Sequence, residues 1–170
     1  IAIGSSRSER LTSLAPRPIP VHINASSPRM IRLAGEVADG VLLMVGRAPG
    51  AVDAAQQELR AGADKAGRSL DDFTVCYALP TFIEDTHERA RQRAALILRF
   101  WLDHPSRIFT RLAANSGLNN SSVNESHLID TMGLVGTAEE CADSLQQFVE
   151  QAGATSVVCQ LYGASADPQR

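Results

Sequence analysis

Apolar residues recur along the chain with two periods, which predict where strands and helices lie. A β-rich run spans residues 19–25, and a continuous apolar run, VLLMV, spans residues 41–45. Runs of this kind are typical of strands in a parallel sheet. Between them, apolar residues recur at helical spacing: Met30, Leu33, Ala34, Val37 and Ala38. The spacing predicts a helix with one apolar stripe, for which Ser27 is suited to the N-cap and Pro28 to the first position.

The same alternation continues toward the C-terminus. Three further helices are predicted, with the apolar faces Val52, Ala55, Leu59 and Ala63, then Ala90, Ala94, Ile97 and Trp101, then Cys141, Leu145, Phe148 and Ala152. Residues 73–83 and 155–163 have the composition of strands. Pro80 has no N–H to donate to a ladder, so we expect the first of these strands to end or bulge there.

The ends of these helices also carry signals in the sequence. Asp85 with Glu88, and Thr137 with Glu140, have the spacing of capping boxes. Gly67 and Gly153 follow the second and fourth helices, where glycine ends a helix readily. Residues 106–130 are polar and weakly patterned, and they predict an insertion or loop.

This order of elements predicts an α/β fold with a parallel sheet. Four strands and their helices are half of a (β/α)8 barrel of the TIM type, which needs eight strands and typically about 250 residues. We therefore expect one domain over residues 1–170, which supplies four β/α units and a helical insertion. Residues 1–17 form an irregular lead-in, and the chain does not begin with Met, so we expect it to be part of a longer protein.

Composition excludes some functions. The net charge of −3 and the pI near 5.8 argue against nucleic acid as a partner, which needs a basic surface. No apolar run approaches the ~18 residues of a membrane span, and residues 1–10 lack the apolar region of a signal peptide. Cys76, Cys141 and Cys159 are odd in number and widely spaced, so we expect small buried hydrophobes, no metal site and a cytoplasmic location.

The turn after the first predicted strand is the strongest candidate site. Ligands of parallel α/β folds bind at the carboxyl ends of the strands. Ala25, Ser26 and Ser27 are small, and a helix that starts there presents free N–H groups and a partial positive charge. Arg29 adds a full charge. These features suit a phosphate, although Ser27 acting only as a helix cap is an equally physical interpretation.

The other polar residues favour structural roles. His22 is expected to be a core or packing residue, and His87, His104 and His127 are expected to be solvated. Capping or ion pairing is expected of Glu36 and Asp39, and a plain cap of Gly136 with Thr137. Arg89, Arg91 and Arg93 are expected on a solvated helix face. No nucleophile–base pair stands out, so the residues indicate no catalytic group.

Three stretches together resemble the luciferase-like family of flavin- and deazaflavin-dependent oxidoreductases. They are RPIPVHINASSPRMIRLAGEVADGVLLMVG, AQQELRAGADKAGRSLDDFTVCYALPTFIEDTHERAR and LVGTAEECADSLQQFVEQAGATSVVCQLYG. The most specific element is AG-x-x-ADGV over residues 34–41, after the small-residue turn. GEVADGVLLMVG is most similar to the methylenetetrahydromethanopterin reductase branch, which uses a deazaflavin.

The resemblance implies that this chain supplies the fifth to eighth strands of the barrel. It further implies that Asn24, Ala25, Ser26 and Ser27, with the adjacent Arg29, bind the phosphate of a coenzyme. The coenzyme would be the deazaflavin F420 and the reaction a hydride transfer to or from a small organic substrate.

Alternatives stay open. One is an FMN-dependent monooxygenase, and another is a half-barrel that binds flavin or a partner without catalysis. We also expect a homodimer, because an open half of a barrel exposes edge strands and must dimerise or be covered.

Overall fold

The computed structural model describes residues 19–103 and 125–163, which form an α/β fold with one parallel sheet. Its strands are β1 (His22–Ala25), β2 (Gly40–Leu43), β3 (Thr74–Ile83), β4 (Leu134–Gly136) and β5 (Ser156–Leu161). Its helices are α1 (Pro28–Val37), α2 (Pro49–Ala66), α3 (His87–Asp103), α4 (Glu125–Met132) and α5 (Ala138–Ala152). The predicted alternation of strands and helices is confirmed. The short strand β4 was not predicted, because three residues are too few to show a period.

The long strand β3 lies at the centre of the sheet. It pairs with β2 over Thr74–Tyr77, with β5 over Cys76–Thr81 and with β4 over Thr81–Ile83, all in parallel. The expected end or bulge at Pro80 is therefore wrong. Backbone groups alternate between the two edges of a strand, and those of Thr81 face β5, since Thr81 O accepts from Tyr162 N. Pro80 faces the other edge, between the β2 and β4 pairings, where no ladder bond is lost.

Helices α1, α2 and α5 cover one face of the sheet. The main core lies between this face and helices α1, α2 and α5, and its larger members include Ile31, Leu59, Tyr77, Leu79 and Phe148. Alternation places the neighbouring strand residues on the opposite face, where His22, Asn24, Ser156 and Val158 are exposed. His22 is not a core residue, because its position in β1 directs it away from the helices. Its ring lies over Gly40, where an added Cβ would be 2.9 Å from His22 Cε1.

Helices α1 and α2 cross at two glycines. A Cβ atom on Gly35 would lie 2.2 Å from Leu59 O, and one on Gly62 would lie 2.0 Å from Arg32 O. The backbones can approach this closely only because both side chains are absent. Ion pairs flank the crossing, Arg32 with Glu58 at 2.7 Å and Lys65 with Glu36 at 2.9 Å, so the expected pairing of Glu36 is confirmed.

The apolar stripe predicted for α1 is only partly correct. Ala34 and Ala38 are buried as predicted, together with Ile31 and Gly35. The larger members of the stripe, Met30, Leu33 and Val37, are 39%, 39% and 62% exposed. The reason is steric, since the close approach of α2 selects the face of α1 that carries the smallest side chains.

A second, smaller core joins α3 and α4 to the end of the sheet. Phe82 packs there with Ala94, Ile97, Leu98, Leu128, Ile129 and Met132. The predicted Asp85–Glu88 capping box is wrong, because the Thr86 hydroxyl accepts from Arg89 N at 3.3 Å and Asp85 pairs with the Arg89 side chain. Thr86 competes well for the cap because its hydroxyl can reach the N–H three residues on.

The arginines of α3 are more buried than the sequence predicts. Arg93 lies 2.8 Å from Glu84, and its side chain is 24% exposed. Arg91 pairs with Asp130 and donates to Ser126 Oγ at 2.7 Å, which joins α3 to α4. Of Arg89, Arg91 and Arg93, only Arg89 lies on a solvated face, at 60% exposure.

Helix α5 has the ends that its sequence predicts. Thr137 and Glu140 form a reciprocal capping box, and Gly153 ends the helix with φ 56°. Cys141 is buried beneath the helix, but Cys76 is half-buried and Cys159 is exposed, so the expectation of three buried thiols is wrong. Cys159 is exposed because β5 is an edge strand whose outer edge has no neighbour in the described part of the chain.

Several predictions fall outside the described residues. They are the lead-in over residues 1–17, His104, and residues 106–124 of the predicted insertion; its remaining residues, 125–130, belong to α4. Within the described ranges, no helix is long and apolar enough to cross a bilayer.

Candidate functional site

The carboxyl ends of the parallel strands lie at one edge of the sheet, and the Ser26–Ser27 turn lies there between β1 and α1. Ser27 is 8% exposed and is the N-cap of α1. Its Oγ accepts from Met30 N at 3.4 Å, and its carbonyl accepts from Ile31 N at 2.9 Å. The predicted cap is confirmed. A capping hydroxyl still carries its own proton, so Ser27 can donate to a ligand while it caps the helix.

The first turn of α1 keeps a donor for a ligand. Pro28 occupies the first helical position and has no N–H. The N–H of Arg29, at the second position, has no acceptor within the helix. No acidic residue lies in this first turn, so the partial positive charge of the helix end is not offset locally.

The guanidinium of Arg29 is available at the same turn. Arg29 is exposed, and within the described residues no hydrogen bond or ion pair engages its side chain. Arg32, three positions further along α1, is instead paired with Glu58 at 2.7 Å. The turn therefore combines a free cation, a helix N-terminus and hydroxyl groups, the chemistry that binds a phosphate or another anion.

Not every residue predicted for this site directs its side chain toward the N-terminus of α1. Ser26 is half-buried and borders a cavity of about 130 Å³ between α1 and α2. Ala25 is 2% exposed, points toward the helices and contributes only its carbonyl, which accepts from Met44 N at 3.0 Å. Asn24 is exposed on the face of the sheet that lies opposite α1. The structure thus brings Ser26, Ser27 and Arg29 together, and separates them from the side chains of Ala25 and Asn24.

The N-terminus of α5, at the same edge, is already occupied by a side chain of its own helix. Thr137 N donates to Glu140 Oε2 at 2.8 Å, and Glu140 N donates to Thr137 Oγ1 at 3.3 Å. The bond from the Thr137 backbone, followed by that from His87, holds the pKa of Glu140 below its usual range. The Glu140 carboxylate occupies the place that an anion would take, so the plain cap expected of Gly136 and Thr137 is confirmed.

An aromatic cluster at the same edge was not predicted as a site. The rings of Phe82 and Tyr162 stack with centroids 5.3 Å apart and an interplanar angle of 19°. Trp101 meets Tyr162 edge-on at 5.4 Å and 80°. The sequence predicts Trp101 on a helix and Tyr162 at the end of the last strand. Only the pairing of β3 with β5 brings these distant residues together, so no local signal could have found the cluster.

The remaining candidates keep structural roles. His87 Nδ1 lies 3.2 Å from Glu140 Oε2, and Asp39 Oδ2 accepts from Val21 N at 2.8 Å. His127 is exposed, as predicted. No cluster that could hold a metal ion is found among the described residues.

Comparisons with known proteins agree with this fold. Residues 4–156 match the model of the family described as luciferase-like monooxygenase. The chain is 30% identical over 164 residues to a 5,10-methylenetetrahydromethanopterin reductase of Archaeoglobus fulgidus, covering 84% of this chain and 48% of that enzyme. It is 39% identical over 85 residues to an F420-dependent glucose-6-phosphate dehydrogenase of Nakamurella multipartita, covering 49% of this chain and 24% of that enzyme.

A solved structure has the same fold. The coenzyme F420-dependent tetrahydromethanopterin reductase of Methanopyrus kandleri superposes with a TM-score of 0.63 at 22% identity, over 88% of this chain and 46% of that enzyme. The chain spans about half the length of the reductases that it matches. Because the family model covers most of the sequence, the chain belongs to the luciferase-like monooxygenase family of oxidoreductases.

Proposed function

We propose that this chain is part of an oxidoreductase that transfers a hydride between the deazaflavin coenzyme F420 and a small organic substrate. The turn that contains Asn24, Ala25, Ser26 and Ser27, with Arg29, would bind the coenzyme phosphate. The observation that carries the proposal is the exposed Arg29, which no residue of the described chain engages, beside the open N-terminus of α1.

The residues of the turn fit a phosphate group. Arg29 offers a planar cation, Ser26 and Ser27 offer hydroxyl donors, and the Arg29 N–H points out of the helix. The side chain of Ala25 does not reach the opening, but its small size lets the turn stay close to the sheet. When bound, a deazaflavin accepts or donates a hydride, and the protein contributes its orientation and the exclusion of water.

The relatives favour F420 over FMN. One similar enzyme is a methylenetetrahydromethanopterin reductase, and the other is named as F420-dependent. An FMN-dependent monooxygenase is the second candidate, because the family model itself is described by that activity. A half-barrel that binds flavin without catalysis is a third candidate. A homodimer is part of the proposal, and light scattering of the full-length protein tests it.

The deciding experiment compares two arginines in the full-length protein. Arg29→Gln removes the proposed phosphate contact, and Arg60→Gln is the matched control. Arg60 is exposed, and among the residues that the structure describes its side chain bonds only to Gln56 in its own helix. We expect Arg29→Gln to weaken F420 or FMN about tenfold, the scale of one lost charge-assisted hydrogen bond. The affinity for riboflavin, or for its deazaflavin counterpart without phosphate, should be the same in wild type and Arg29→Gln.

Three results would contradict the proposal. Equal affinities of wild type and Arg29→Gln for the phosphorylated coenzyme would show that Arg29 does not bind the phosphate. Failure of the wild-type protein to bind either coenzyme would contradict the proposed oxidoreductase function. Tight FMN binding without F420 binding would favour the monooxygenase.

A further inference from the structure

We propose that Tyr162 and Trp101, supported from behind by the buried Phe82, form an aromatic wall against which a planar conjugated ring stacks. The ring belongs to the coenzyme or to the substrate, so this inference rests on the proposed function and extends it to a second part of the site.

The wall lies at the ligand-binding edge of the sheet. Phe82 is the penultimate residue of β3, and Tyr162 follows the last residue of β5. Both lie on the face of the sheet away from α1, α2 and α5, because alternation along β3 sets Phe82 opposite Tyr77 and Leu79, which pack toward those helices. This is also the face that carries the exposed Asn24.

The proposed phosphate turn lies on the same edge. It follows β1, and β1 is separated from β5 by β2 and β3, which corresponds to roughly 14 Å at the usual strand spacing. A coenzyme held by its phosphate at the turn therefore extends across the ends of the middle strands toward the wall.

The rings are held in place from behind. Phe82 is fully buried in the second core, whereas Trp101 and Tyr162 are half-buried. The backbone N–H of Tyr162 donates to Thr81 O at 2.9 Å, which fixes its main chain beside Phe82. Its ring packs against Phe82 and Trp101. A ring surface that is already ordered costs little conformational entropy when a ligand stacks on it.

The wall is uncharged. Removal from water raises the pKa of Tyr162, so its hydroxyl stays neutral at physiological pH. An uncharged aromatic surface suits the face of a conjugated heterocycle. Flavin, deazaflavin and pterin rings share this chemistry.

The experiment compares Tyr162→Leu with Tyr162→Phe in the full-length protein. The first variant removes the ring and keeps an apolar side chain, and the second keeps the ring and removes only the hydroxyl. The probes are riboflavin and its deazaflavin counterpart, both without phosphate, and a free pterin added with saturating coenzyme. We expect Tyr162→Leu to weaken a ring probe about tenfold, and Tyr162→Phe to change its affinity less than twofold.

The probe affected identifies the source of the ring. Loss of riboflavin or deazaflavin affinity assigns the wall to the coenzyme, and loss of pterin affinity alone assigns it to the substrate. Unchanged affinities in both Tyr162→Leu and Trp101→Leu would overturn the inference. Thermal unfolding without ligand tests whether each variant is folded. If Tyr162→Leu is not folded, the affinities of Trp101→Leu test the inference.

Failure of the proposed function gives a different result. In that case the wild-type protein binds neither the coenzyme nor its dephosphorylated form. The inference alone fails if wild type binds the ring probes and both Tyr162→Leu and Trp101→Leu bind them equally well.

Discussion

Gly62 contacts the backbone of Arg32 so closely that an added Cβ atom would lie 2.0 Å from the Arg32 carbonyl oxygen. This crossing sets the position of α1, whose first turn carries the proposed phosphate site. We predict that Gly62→Ala destabilises the protein by roughly 2 kcal/mol, because the overpacking exceeds the gain of about 1 kcal/mol in helix propensity. Urea denaturation measures the change.

The matched control for this crossing lies in the same helix. Gly50, near the start of α2, has open space around the position of a Cβ atom. Gly50→Ala should leave the free energy of unfolding unchanged or raise it by up to about 1 kcal/mol. Equal effects of the two substitutions would show that α1 and α2 are not in close contact.

Arg47 joins the loop after β2 to α4, to α5 and to Gly133, which follows α4. Its backbone N–H donates to Thr131 O at 2.8 Å, and its Nη1 donates to Ser144 Oγ at 2.5 Å and Gly133 O at 3.3 Å. Burial lowers the pKa of Arg47 from its ordinary value, but an arginine stays charged at any physiological pH. We predict that Arg47→Met lowers the free energy of unfolding by about 2 kcal/mol, because buried acceptors lose a charged donor.

Two comparisons test the role of Arg47. Arg47→Lys should recover only part of the loss, because a single ammonium group cannot reproduce the geometry of the guanidinium. Arg60→Met, at an exposed arginine, should cost less than about 0.5 kcal/mol. Faster hydrogen exchange in α4 of Arg47→Met would locate the effect, and unchanged exchange there would contradict this assignment.

Glu140 makes the stability of the α5 cap depend on pH. Its pKa is lowered in the folded protein, first by the Thr137 N–H and then by His87. A carboxyl group with a depressed pKa contributes stability above its unfolded value of about 4.3, and loses that contribution as the pH falls through its folded value. We predict that the melting temperature of wild type falls more steeply below about pH 4.3 than that of Glu140→Gln.

The control for the cap is the adjacent carboxylate. Glu139 is exposed in the same first turn and lacks the reciprocal bonds of Glu140. Glu139→Gln should keep the acid dependence of wild type. Parallel melting curves of wild type and Glu140→Gln between pH 3 and 7 would show that the cap does not titrate.

Tyr77 carries a hydroxyl group that the fold does not satisfy. This oxygen is buried without a hydrogen-bond partner within the described residues. The Gln56 amide lies near it without meeting the geometry of a hydrogen bond, and Gln56 Nε2 donates to Ala152 O at 2.7 Å. We predict that Tyr77→Phe is neutral or stabilises the protein by up to about 1 kcal/mol, since the penalty for burying the hydroxyl is removed.

The ring of Tyr77, in contrast, is needed. It packs edge-on against Phe148 with centroids 5.1 Å apart. Tyr77→Leu should therefore lower the free energy of unfolding by about 2 kcal/mol or more. A clearly destabilised Tyr77→Phe variant would show that the hydroxyl is bonded in the folded protein.

Periodicity predicts the elements well and their packing less well. The helix faces of α2 and α5 were predicted correctly, because their apolar residues form single stripes. Helix α1 has one broad apolar face that extends from Leu33 to Ile31, and periodicity cannot say which part of it α2 covers. The choice depends on Gly35 and Gly62, which are 27 positions apart in the chain and meet only after folding.

The candidate site divides in the same way. The Ser27 cap is a local signal and could be predicted from the turn and the helix that follows it. The lack of an ion-pair partner for Arg29 among the described residues could not be predicted, because it depends on which carboxylates the fold brings near each arginine. The aromatic cluster was missed for a related reason, since strand pairing alone places Tyr162 beside Phe82 and Trp101.

The central position of β3 has a consequence for how the protein forms. Thr155 donates to Val75 across the sheet, although the two residues are 80 positions apart in the chain. Contacts between residues so far apart in the chain make folding slow, and the sheet is completed late. During synthesis one edge of β3 stays unpaired until β5 has left the ribosome, and a chain terminated before Ser156 would carry its longest strand with an open edge that invites aggregation.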